Sequence, residues 1–100
     1  MADPPTTPQR LARDYRTAFL RYLPRHEEAA LTAAYDLGRS AATTGISLLE
    51  LVRIHHEVLA AVLADSRPEE VAATAESAST FLLEVMAPFD LAHRRLLDRG

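Results

Sequence analysis

Gly45-Ile46-Ser47, followed by Leu48-Leu49-Glu50-Leu51-Val52-Arg53-Ile54-His55-His56-Glu57-Val58-Leu59, is a complete helix-start signal running into an apolar helix. No other stretch constrains the fold as much. Ser47 is a capping residue whose hydroxyl can accept from the backbone three residues on, while the Glu50 side chain can reach back to the Ser47 backbone. Ile46 and Leu51 stand where a hydrophobic staple closes over that turn. Local chemistry therefore starts a helix at Leu48 and turns the chain at Gly45, the left-handed exit residue of whatever helix comes before.

The rest of the chain divides around this point. Pro4, Pro5 and Pro8 sit in a polar stretch with nothing apolar to bury, so residues 1–8 read as a disordered lead. A first helix starts near Gln9, carries Leu11, Tyr15, Ala18, Phe19 and Tyr22 at helical spacing, and is expected to stop before Pro24. A second runs from His26 to Thr44 with Ala30, Leu31, Ala34, Leu37 and Ala41 as its apolar stripe. Gly38 inside that helix costs about 1 kcal/mol relative to Ala, which a close crossing of another backbone would explain. The third helix spans Leu48 to Ala64, and Ser66 with Glu69 repeats the capping spacing ahead of a fourth. That fourth helix keeps an apolar face for about 30 residues, or about 45 Å, with Pro88 as the expected hinge where it kinks or opens. Residues 9–97 form one domain and 98–100 a tail or the start of a linker.

Short connections between four amphipathic helices specify an all-α, four-helix bundle with a long fourth helix. Composition agrees: of 100 residues 48% are hydrophobic but only 6% aromatic, so the core is built of Leu, Ala, Val and Ile. A net charge of −3 lacks the basic footprint of a nucleic-acid binder. There is no cysteine for disulfides or thiolate metal sites, no basic and apolar leader, and no apolar run long enough for a membrane span. A soluble, cytoplasmic protein is expected.

The helices carry more apolar surface than one small core requires. On helix three, Leu48, Leu51, Val52, His55, Val58, Leu59 and Val62 share a face, leaving Leu49, Leu63 and Ile54 off it. On helix four, Phe81, Leu83 and Leu91 fall off the stripe of Val71, Ala75, Ala78, Leu82, Val85, Met86, Phe89, His93 and Leu96. A dimer interface or second apolar surface made of Leu49, Ile54, Leu63, Phe81 and Leu91 follows.

Catalytic chemistry finds no support. Adjacent helical histidines point about 100° apart and cannot grip one ion, so His55 reads as a neutral core histidine bonded across the bundle and His56 as a boundary residue. A di-iron bundle site needs Glu-x-x-His twice, and the chain has none. His56-Glu57 resembles the start of a histidine-kinase phosphoacceptor motif, but Val58, Leu59 and Ala60 then replace its basic residue and proline. Ser47 and Ser66 are better used as caps than as nucleophiles, and three scattered glycines make no phosphate loop. No metal, cofactor or small ligand is implied.

Arg21-Tyr22-Leu23, Leu31 with Arg39, Ile54-His55 through Leu59, and Phe81-Leu82-Leu83-Glu84-Val85-Met86 together resemble the amino-terminal regulatory domain of RsbU-type stress phosphatases, over about residues 14–97. The resemblance implies a dimeric four-helix domain with a fold similar to the carboxy-terminal domain of KaiA. It implies an RsbT-like switch kinase protein as partner and a downstream PPM-type serine/threonine phosphatase as the regulated module. It places the partner-binding surface at Thr32, Leu83 and Ala87. Outside that family, the residues alone also allow a stand-alone homodimeric helical adaptor or a histidine phosphotransfer module using His56.

Overall fold

The computed structural model describes residues 7–99: four α-helices and no strand. They are α1 (Thr7–Arg25), α2 (Glu28–Thr43), α3 (Leu48–Ala64) and α4 (Val71–Arg99), with a 3₁₀ turn at Pro68–Glu70 leading into α4. The expected lead at 1–8 lies outside the described residues except for Thr7 and Pro8. These two are helical, because a first-turn N–H has no helical partner and Pro8 therefore loses nothing. At the other end, Asp98 and Arg99 belong to α4 instead of a tail.

Start signals act largely as the residues dictate. Ser47 Oγ accepts from the Glu50 N–H at 3.1 Å, and Gly45 takes φ +80°. The Glu50 carboxylate is turned to Arg53, whose hydrogen bond holds it below its ordinary range; Arg53 also reaches Glu57. The cap before α4 is shifted by one residue from the expected Ser66 and Glu69. Ser66 Oγ donates back to the Val62 carbonyl at 2.7 Å, and Glu70 accepts from the Arg67 N–H at 2.9 Å.

The helix α1 does not stop before Pro24. Pro24 lies in its last turn, where its missing N–H leaves only the Leu20 carbonyl without a helical donor. The turn closes instead through the His26 N–H, which donates to the Tyr22 carbonyl at 2.8 Å. His26 holds a left-handed φ of +53°, and its Nε2 lies 2.9 Å from the buried Ser77 hydroxyl of α4 while its ring leans on Tyr22 at 4.8 Å. The strained residue is a clasp joining the α1–α2 corner to α4. Replacing His26 with Ala keeps the unfavourable φ and leaves the Ser77 hydroxyl without this partner, so a loss of about 1–2 kcal/mol is expected in urea denaturation. His26→Gly should lose less, since Gly adopts that φ without penalty.

The tightest packing is between α2 and α4. These two run parallel: His26 meets Ser77 near one end, and Gly38 meets Val85 and Pro88 further along. An up-and-down bundle would put them on a diagonal. Small residues bring them together instead, because Ala34, Gly38 and Ala41 are buried along one side of α2. A Cβ on Gly38 would stand 1.8 Å from the Val85 carbonyl oxygen and 3.3 Å from Pro88 Cδ. Pro88 is buried in this crossing, and α4 continues through it unbroken. The residue expected as a hinge thus lies within the packed contact between α2 and α4.

The aliphatic core expected from composition is corrected: the few aromatics are concentrated at its centre, with Phe81 of α4 fully buried and ringed by Tyr15 at 5.1 Å, Phe19 at 5.4 Å and Tyr22 at 6.0 Å from α1. The placement of Phe81 on an outer surface is thus corrected, and so is that of Ile54, which is 1% exposed. Both errors are rotations of a helix face. The buried side of α4 begins with Thr74 and Ser77, so a stripe drawn through apolar residues alone points away from it. On α3, inward-facing Ile54 leaves Leu48 and Val52 exposed. Leu63 is half-buried, whereas Leu49 and Leu91 are exposed.

Candidate partner-docking surface

The cap at Ser47 fixes the first turn of α3, and with it the position of Leu48. Across from that turn, the outer side of α4 carries Leu83, Met86, Ala87, Phe89, Asp90 and His93. Together with Leu48 they line an open groove of about 620 Å³. Its surface is mostly aliphatic and aromatic. Leu83 is 72% exposed on its rim, Ala87 is half-buried, and Asp90 is paired with Arg94 at 3.1 Å. Solvated leucine on a groove edge adds nothing to folding, while a partner side chain covering it would gain about 1.5–3 kcal/mol.

Of the residues expected at a partner surface, the fold brings Leu83 and Ala87 into this groove. Thr32 is exposed on α2 and is not among the residues lining it. Met86 and Phe89, expected on the core face of α4, do pack partly against the core and also line the groove, whereas Leu48 is exposed there. The period of the sequence locates the apolar faces but cannot say which of two adjacent faces on α4 meets the neighbouring helices. Leu49, at 84% the most exposed large apolar residue among those described, follows Leu48 directly and extends the apolar surface of α3.

A second cleft of about 600 Å³ separates α1 from α2 and carries Asp14, Arg21, Glu27 and Asp36 over an alanine floor. Its carboxylates already face guanidinium groups, with Asp14 near Arg13, Glu27 near Arg25 and Asp36 near Arg39. Such exposed pairs are worth little, and they engage all three carboxylates of the cleft, while Arg21 forms no ion pair among the described residues. Among the described residues, no three His, Asp or Glu side chains cluster so as to hold a metal ion. Nor is any described helix long and apolar enough to cross a membrane.

The histidines divide sharply. His55 Nδ1 lies 2.6 Å from the buried Tyr15 hydroxyl, whereas His56 is exposed beside Glu57, whose carboxylate is engaged by Arg53. Burial, and secondarily the neighbouring His56, holds the His55 imidazole below the ordinary histidine range. Burial likewise pushes the Tyr15 phenol up.

The family model described as phosphoserine phosphatase RsbU, N-terminal domain, matches residues 13–92 of this four-helix chain. The chain belongs to the RsbU N-terminal domain family. No curated protein and no solved structure shows significant similarity to it. The RsbU-type domain is a regulatory module, not itself catalytic, and its family setting is stress signalling and phosphatase regulation. All four helices fall at least partly within the matched span, and the groove residues from Leu48 to Asp90 lie inside it.

Proposed function

We propose that this domain homodimerises, binds a switch protein of the RsbT type, and thereby controls a serine/threonine phosphatase module in cytoplasmic stress signalling. The observation that carries the reading is the apolar groove edged by solvent-exposed Leu83 and floored by Ala87, on a helix already anchored to the core by Phe81. The partner would occupy this groove, with Thr32 on α2 as a separate contact. Leu49 and Leu91, with half-buried Leu63, remain as candidates for the self-interface. In this mechanism a partner pressing on the outer side of α4 shifts it against α2 at the Gly38–Pro88 crossing, and the long helix carries the movement to its far end.

Leu83→Asp tests this directly, because it places a carboxylate on the groove rim at a site open to water. Titration calorimetry with an RsbT-like partner should show binding weakened about a hundredfold, the loss expected for one hot-spot side chain. Circular dichroism and solution mass should stay as in the parent domain. Unchanged affinity would sink the docking surface, and an unfolded variant would show that Leu83 supports the core.

A further inference from the structure

We infer that the Tyr15–His55 hydrogen bond is an acid-weakened joint between α1 and α3. The bond is 2.6 Å long, and the two rings meet edge to face with centroids 5.8 Å apart. Tyr15 is 1% exposed and lies against Phe81, while His55 is half-buried. In the proposed joint the neutral imidazole carries its hydrogen on Nε2, so that the phenol O–H donates to Nδ1. Protonating His55 puts the ring's second hydrogen on Nδ1, which must then donate to the Tyr15 oxygen instead of accepting from it. The Tyr15 hydroxyl must then turn its own hydrogen elsewhere in a packed aromatic site, and a positive charge appears where water reaches only one side.

The titratable group from α1 that meets His55 is Tyr15, which stays neutral. From α4 the uncharged Phe81 ring closes behind Tyr15, and on α3 the adjacent His56 is the neighbouring charge. Arg53 is occupied by Glu50 and Glu57. Protonated His55 is therefore left without a carboxylate partner. The unfolded chain takes this proton more readily than the folded one. The stability contributed by neutral His55 is complete above the ordinary value of 6.5 and is lost as pH falls from there through the depressed folded value. Helix α3 is held chiefly by its buried Leu51, Ile54 and Val58, and this joint adds a polar tie between it and α1. The inference concerns the fold and holds whether or not the groove receives a partner.

Two measurements on the intact chain decide it. Imidazole ¹⁵N spectra should show His55 with bare Nδ1 and protonated Nε2, titrating below the ordinary histidine value of 6.5; the opposite tautomer, or titration at or above that value, overturns the joint. Denaturation across pH 8 to 5 should show the folded-to-unfolded ratio falling up to about tenfold per pH unit faster than in His55→Asn, which cannot titrate. Parallel curves overturn it. Should His55→Asn not fold, Tyr15→Phe keeps the ring and removes the donor, and His55 should then titrate closer to the ordinary value of 6.5. An unmoved midpoint in that variant also overturns the inference.

Discussion

Gly38→Ala, a change that strengthens an exposed helix by about 1 kcal/mol, should here destabilise the domain by about 3 kcal/mol or more. The sign is set by what the new methyl would meet. Its carbon would lie 1.8 Å from the Val85 carbonyl oxygen, and a backbone oxygen in mid-helix cannot swing aside as the end of a side chain can. Either α2 and α4 separate along the crossing or α2 rotates, and both movements strip contacts from Ala34, Ala41 and Val85. Urea denaturation followed at 222 nm should show a lower midpoint. A stability equal to or above that of the parent would mean that the helices do not cross so closely.

Phe81→Ala should be costlier still. Removing a fully buried Phe costs about 3–5 kcal/mol, and this ring also makes edge contacts to Tyr15 and Phe19 and a tilted contact to Tyr22. Domains of this size hold about 5–15 kcal/mol in total, with small ones near the lower bound. Thermal unfolding should therefore begin near ambient temperature, with near-ultraviolet tyrosine signals weakened even where helicity survives. Phe81→Leu fills most of the space and should lose markedly less. Tolerance of Phe81→Ala would place the ring at the surface after all.

These two residues also show what the chain reveals about itself. The elements were legible because their signals are local: Gly45 and Ser47 need only their own backbone neighbours to end one helix and start the next. Gly38 announced a close approach, yet nothing local could identify Val85 and Pro88 as the other side. Phe81 and Ile54 were misplaced because rotating a helix face by one residue is invisible when both adjacent faces are apolar. The deciding information lay in Thr74 and Ser77, whose polarity argues for exposure until a second helix surrounds them and His26 reaches the Ser77 hydroxyl. His26 itself could not be foreseen in a left-handed conformation, since its reward is a contact 51 residues away. For the docking groove, Leu83 and Ala87 were recognisable through the family resemblance, while Leu48, Met86 and Phe89 depended on how α3 and α4 turned.

The parallel run of α2 and α4 has an electrical consequence. Antiparallel neighbours cancel their peptide dipoles, but two helices side by side in the same direction add theirs and repel. Both amino ends lie at one pole of the molecule, and there the chain places Glu27 and Glu28 before and at the start of α2, and Glu69 and Glu70 just before α4. Each carboxylate near a helix start is worth about 0.3–1 kcal/mol at low ionic strength, and less as salt screens it. Four acidic side chains at this pole offset the positive ends of two aligned macrodipoles and let the closest helix pair in the domain be one that electrostatics alone would drive apart.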